Sequence, residues 1–159
     1  MELLTPELRA ALRANADAQL EAQRTDRREP DPVPVVKFFS PLSAATWLAT
    51  ELDADGDTLF GLADLGFGCP ELGSFSLSEI AAVRLPFGLG IERDRGFASA
   101  VPLSVWADTA RHAGSILSAA QLLGPVEAHH RAQASAPPML DDAPASLPDP
   151  LPPPDPEDG

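Results

Sequence analysis

Residues 46–52 and 58–65 are two β-rich runs separated by Asp53-Ala54-Asp55-Gly56-Asp57. Asp-Gly between such runs is a strong hairpin signal, because glycine accepts the positive φ that tight turns require. The two strands are therefore expected to pair antiparallel, with Trp47 and Phe60 in one small sheet. The wider stretch 33–75 also holds most of the aromatic residues and the densest group of carboxylates. It is read as the sheet of one α+β domain, with the rest of the chain packed against it or trailing from it.

The flanks supply the covering elements. Thr5 is a suitable N-cap and Pro6 is preorganised for the first helical position, so a helix is expected over 6–23. Leu4, Leu8, Ala11 and Leu12 make one apolar stripe, leaving Arg9, Arg13 and Asp17 to solvent. Pro30, Pro32 and Pro34 turn 24–34 into a connector, because each biases its predecessor away from helix. A first strand follows at 35–39. Beyond the hairpin, 66–70 reads as an irregular connector, and Ser76-Leu77-Ser78-Glu79 fits a capping box opening a short helix over 77–84. A possible fourth strand lies at 89–93. Pro102 opens a helix over 103–113 that Gly114 closes, and 116–123 continues as helix until Gly124-Pro125 stops it. Trp47 and Trp106 fall at positions these patterns bury, and each is expected to anchor a single core.

Composition changes at Pro125. Ten of the 18 prolines lie in 125–159, where Arg131 alone faces seven acids of a chain with formal net charge -13. Such a segment buries too little apolar surface to offset its ordering entropy, so 125–159 is read as a disordered, proline-rich acidic tail to a domain of 1–124. The acid excess repels phosphate backbones, so direct groove binding to nucleic acid is disfavoured and not expected. Cys69 is the single cysteine, so no intramolecular disulfide forms. The N-terminus has no basic region followed by an apolar block, and no apolar run approaches the length of a membrane span. The expected compartment is the cytoplasm.

Several blocks, in order, resemble a known family. They are Ala45-Thr46-Trp47-Leu48 with Thr50-Glu51 and Leu52-Asp53, Phe60-Gly61-Leu62-Ala63-Asp64-Leu65-Gly66, Pro70-Glu71-Leu72-Gly73, and Glu92-Arg93-Asp94. Over roughly residues 2–114 the chain resembles the small bacterial proteins grouped as domain of unknown function 2958. The resemblance implies a bacterial cytoplasmic accessory protein of the kind encoded on plasmids and integrated mobile elements. It brings no established active site with it.

The candidate chemistry is carboxylate chemistry. Glu51, Asp53, Asp55, Asp57, Asp64 and Glu71 are hard oxygen donors that would suit Mg²⁺ in phosphoryl chemistry. Asp53, Asp55 and Asp57 do not have calcium-loop spacing, since Gly56 stands at loop position four, and they are read as a solvated turn. Glu51, Asp64 and Glu71 remain as metal-ligand candidates. The competing reading of Asp64 and Glu71 is that each caps a backbone N–H and locks its loop. Gly66-x-Gly68-x-x-Glu71 lacks the third glycine of a dinucleotide loop and does not open a βαβ unit, so no cofactor is expected. Lys37 is the only lysine, and no Asp-x-Lys or Glu-x-Lys serves a nuclease. Cys69 is read as a partly buried structural thiol, and His112 as a partner of a helix C-terminus. Glu92, Arg93 and Asp94 are candidates for a partner-binding patch.

The architecture expected is thus α+β, a small antiparallel sheet of three to four strands flanked by two to three helices. The function expected is a non-enzymatic module that binds a protein. Two alternatives stand beside it. One is a carboxylate–metal enzyme of nucleic-acid processing, the other an acidic decoy that mimics DNA against a host defence enzyme.

Overall fold

The computed structural model describes residues 2–135. The chain runs α1 (Pro6–Arg24), β1 (Val36–Phe39), β2 (Thr46–Leu52), β3 (Thr58–Asp64), β4 (Glu71–Ser76), α2 (Leu77–Ala82), a 3-10 turn (Pro86–Gly88), β5 (Glu92–Arg93), α3 (Leu103–Ala113) and α4 (Ile116–Ser135). All strand pairs are antiparallel and the order across the sheet is β4-β3-β2-β1-β5. The α+β class holds, with five strands and four helices.

Strand alternation sends successive side chains to opposite faces, and both faces are covered. On one, Phe38, Trp47, Ala49, Leu52 and Leu59 pack against Leu4 and Leu12 of the N-terminal region and Ile80 of α2. On the other, Leu48 and Leu62 pack against Leu103, Trp106 and Ala110 of α3 and Ile116, Ala119 and Leu123 of α4. The tryptophans are both buried, but they anchor two cores separated by the sheet. The single core expected from the sequence is corrected on this point. Gly61, opposite Ala49 in the register, lets β2 and β3 approach closely, since a Cβ there would overlap the Leu48 carbonyl.

Local signals explain most boundaries. Thr5 Oγ1 accepts the N–H of Leu8 with Pro6 at the first position of α1. Ser76 Oγ accepts the N–H of Glu79 at the start of α2. Gly114, at φ 89°, closes α3 through its N–H to the Ala110 carbonyl. Arg9 and Arg13, expected in solvent, instead donate to the carbonyls of Gly56 and Leu52 at 3.1 and 2.7 Å. Together with Asn15, which donates to Thr50 O, they fasten α1 to the hairpin.

Two expectations are overturned. Residues 71–76, read as no strand from the sequence, are paired along their whole length with β3, so Glu71 opens a strand and is not part of a loop. Gly124-Pro125 does not stop α4, which runs on to Ser135. Pro125 deprives the helix of one backbone bond, but Leu123 is buried on one side of it and Glu127 is bonded on the other. Helix thus continues for eleven residues past Gly124. The part of the expected disordered tail at 136–159 lies outside the described residues. Among the described residues no helix is long and apolar enough to cross a membrane.

Candidate functional site

Glu51 owes its orientation to an irregularity in β2. Ala49 pairs with Gly61 and Glu51 with Phe60, so Thr50 is an extra residue, a β-bulge that resets the alternation. Glu51 thereby shares a face with Phe60 and borders a cleft of about 440 Å³. Four carboxylates line this cleft, from Glu29, Asp31, Glu51 and Asp53, and no basic residue does. Asp31 accepts the backbone N–H of Ser104 at 3.1 Å and its hydroxyl as well, capping the start of α3. Glu29 accepts from Gln23 Nε2 at 2.8 Å. Burial foremost, then repulsion from Asp53 and Glu29, pushes the Glu51 carboxyl above the usual range.

Asp64 closes β3 and is fully buried. Its Oδ1 accepts the N–H of Gly66 and its Oδ2 that of Ile116, each at 2.9 Å. Both oxygens are therefore committed to the backbone, one to the turn after β3 and one to the first residue of α4. This is the loop-locking arrangement.

Glu71 is exposed and stands opposite Ala63. Ala63 and Asp64 are neighbours on β3, so Glu71 and Asp64 project from opposite faces of the sheet. Asp64 in turn pairs with Thr46, five residues before Glu51, which puts the two acids on the order of 15 Å apart along β2. The three candidate ligands do not converge. Among the described residues no group of three or more His, Cys, Asp or Glu side chains could hold a metal ion.

The turn acids are structural. Asp55 accepts from the N–H groups of Asp57 and Thr58 and from the Thr58 hydroxyl, which lowers its pKa to about 2. Asp57 accepts from the Ser76 hydroxyl and the Ser78 N–H, joining the hairpin to the start of α2, and its pKa is lowered by the same bonds. Of the proposed patch, Glu92 is exposed, while Arg93 donates to Leu3 O at 2.8 Å. Asp94 accepts the Gly96 N–H and faces Lys37. Cys69 is exposed, not partly buried as expected, and so are its neighbours 65–68 in the six-residue turn between β3 and β4. His112 lies in the last turn of α3 with Nδ1 2.7 Å from the Asp108 carbonyl.

The feature that residue-type reasoning does not find is a backbone one. β4 is an edge strand, and among the described residues nothing pairs with its outer side. The Leu77 N–H donates to Asp57 O. By strand alternation Phe75, Gly73 and Glu71 therefore turn their backbone groups toward β3, and Leu72 and Ser74 turn theirs outward. Leu72 and Ser74 also line the acidic cleft, and Leu65 and Phe67 are exposed in the turn leading into the strand. A free strand edge thus runs beside a concave surface of one charge.

A family model described as "Protein of unknown function (DUF2958)" matches residues 3–117. No curated protein and no solved structure matches the chain.

Proposed function

The chain belongs to the DUF2958 family, and on that premise we propose that it is a non-enzymatic accessory protein that captures an extended, basic segment of another protein. The carrying observation is that nothing among the described residues pairs with the outer edge of β4. An unpaired edge offers a row of N–H and C=O groups to an incoming strand, which is how β-augmentation gains its main-chain bonds. Charge chooses the partner. Side chains of an added strand that point toward α3 meet the cleft carrying Glu29, Asp31, Glu51 and Asp53, where lysine or arginine is attracted and acids are repelled. Phe67, 83% exposed at the head of the strand, supplies an apolar contact for one end of the segment. The host is a bacterial cell and the setting a mobile element, where a small acidic module would act on a partner in the cytoplasm.

The test uses Ser74→Pro. Proline is tolerated on an edge strand where its N–H faced solvent, so the β3–β4 pairing is kept while the outer ladder loses its donor. A displayed library of extended peptides is selected against the parent, and the winners are measured on the variant. Lysine- or arginine-bearing winners that lose at least tenfold in affinity on Ser74→Pro support strand addition. Winners unaffected by Ser74→Pro and abolished by Glu51→Gln with Asp53→Asn overturn it in favour of recognition by charge alone, as a DNA-mimicking decoy would use. The absence of any winner overturns it outright.

A further inference from the structure

We infer that the opposite edge of the sheet carries a binding pocket for a small organic oxyanion, a phosphate or a carboxylate, centred on Lys37. The pocket, about 390 Å³, is lined by β1, the β1–β2 loop, the β5 end and the first turn of α4. Lys37 and Arg95 border it, with Asp94 the one acid among its described lining. Arg93 borders it too, but its guanidinium donates to Leu3 O on the Phe38 face of the sheet, away from Lys37. In a protein of formal charge -13 this is a local reversal of sign.

Lys37 is the only lysine, and its position is unusual for one. It lies within β1 opposite Leu48, on the face that otherwise packs Leu48 and Leu62 against α3 and α4. Its side chain is only 18% exposed, so the stem is covered while the ammonium opens into the pocket. Asp94 does not saturate it. The Nζ to Oδ2 distance is 3.9 Å, beyond hydrogen-bond length, and the other Asp94 oxygen already accepts the Gly96 N–H. A buried-stem ammonium with three donors and one distant carboxylate is underused.

The loop after β1 adds neutral donors. Ser40 Oγ accepts the N–H of Leu42, and Ser43 Oγ accepts that of Ala45, so each hydroxyl proton is left to give. Thr46 spends its own on the Ala44 carbonyl and serves as wall. Arg95, exposed at the rim, supplies a second cation. Phe39 and Leu117 form an apolar lining, which suits an anion carried on a carbon body better than a bare ion. Donors of this kind are matched by oxygen acceptors bearing negative charge, and charge-assisted bonds are the strong ones. The site lies across the sheet from β4 and does not depend on what that edge binds.

The experiment is an amide NMR titration of the full chain with inorganic phosphate and, separately, with succinate, each against sodium chloride of equal ionic strength. Saturable shifts confined to residues 40–46 and 93–95 are expected with at least one probe. The probe that saturates at lower concentration identifies the headgroup. Lys37→Met, which keeps an unbranched apolar stem, should weaken that binding at least tenfold, with shifts elsewhere unchanged as evidence that it folds. Arg95→Gln, at an exposed position that cannot disturb the core, should weaken it several-fold. Failure of both probes to saturate overturns the site, and so does binding that survives Arg95→Gln and Lys37→Met undiminished.

Discussion

Asp64 Oδ2 accepts the backbone N–H of Ile116 at 2.9 Å, across 52 positions of sequence, while its Oδ1 holds Gly66. One buried carboxylate thus fixes both the exit from β3 and the entry into α4. A carboxylate is suited to the task because it is acceptor-only, and both of its neighbours are donors.

Asp64→Asn should therefore destabilise the protein. Asparagine keeps one acceptor and sets an amide N–H₂ group against the other backbone N–H, at a cost of about 1–3 kcal/mol. Glu71→Gln is expected to stay within about 0.5 kcal/mol, as exposed substitutions away from special features do. The loop lock that the sequence allowed for both acids belongs to Asp64. Urea unfolding with and without millimolar Mg²⁺ checks this. A parent stabilised by metal, with the effect lost in Asp64→Asn, would restore a metal-ligand role.

The hairpin acids give a pH dependence of opposite sign to that of Glu51. Asp55 and Asp57 have lowered pKa values, so the unfolded chain takes up their protons first as pH falls. Their contribution is complete above the ordinary carboxylate value of 3.8 and is lost as pH drops through the folded value, about 2 for Asp55. Asp55→Asn should melt below the parent at pH 6, with the gap closing as pH approaches 2. Glu51 is raised, so its charge opposes folding. Glu51→Gln should melt above the parent at neutral pH, and that gain should shrink on acidification. Melting curves from pH 7 down to 2 read both effects, and parallel curves for all three proteins would contradict them.

How much of this was legible depends on the range of the determining contacts. β2 matches its expected span, and α3 runs over its expected 103–113, because the Asp-Gly turn and the Pro102–Gly114 punctuation act locally. β4 escaped notice because Glu71, Gly73, Ser74 and Ser76 give it no apolar alternation. An edge strand held by backbone bonds on one side needs none. Pro125 misled because its local cost is outweighed by tertiary contacts on either side. The acids were visible as acids, but the bulge at Thr50 that turns Glu51 into the cleft and the register that separates Glu71 from Asp64 are pairing facts. Lys37 could be seen to be the lone lysine. Ser40 is its near neighbour in sequence, but that Arg95 comes beside it follows from β1 pairing with β5, some 55 residues on.

Gly61→Ala should be among the most damaging single-methyl additions in the chain. Its Cβ would meet the Leu48 carbonyl group and come within 2.9 Å of Ala49 Cα, all backbone atoms that cannot swing aside. Overpacking of this kind costs about 1–3 kcal/mol and sometimes more. Gly73→Ala, where nothing lies within 4 Å, is the matched control and should be nearly silent. Equal urea midpoints for the two variants would mean that β2 and β3 are not so close.

The final prediction concerns the second half of α4. Proline content alone argues that the chain can be cut after Gly124 without loss. The structure argues otherwise, because such a cut removes Glu127. That side chain accepts the Ser99 hydroxyl and the Ala100 N–H. Ser99 Oγ in turn accepts the indole N–H of Trp106 at 3.0 Å and the Val101 N–H at 3.1 Å. Glu127 thus orients a hydroxyl that satisfies a buried tryptophan, and its loss leaves the Ser99 proton and the Ala100 donor to find water beside the α3–α4 core. A charge-assisted pair of bonds of this kind contributes about 1.5–3 kcal/mol. A protein ending at Gly124 should melt several degrees below one ending at Ser135, which keeps Glu127. Glu127→Gln in the full chain, which replaces one carboxylate oxygen with an amide nitrogen, should reproduce part of that drop. Coincident melting curves for the two truncated proteins would show that α4 past Pro125 adds nothing to the fold.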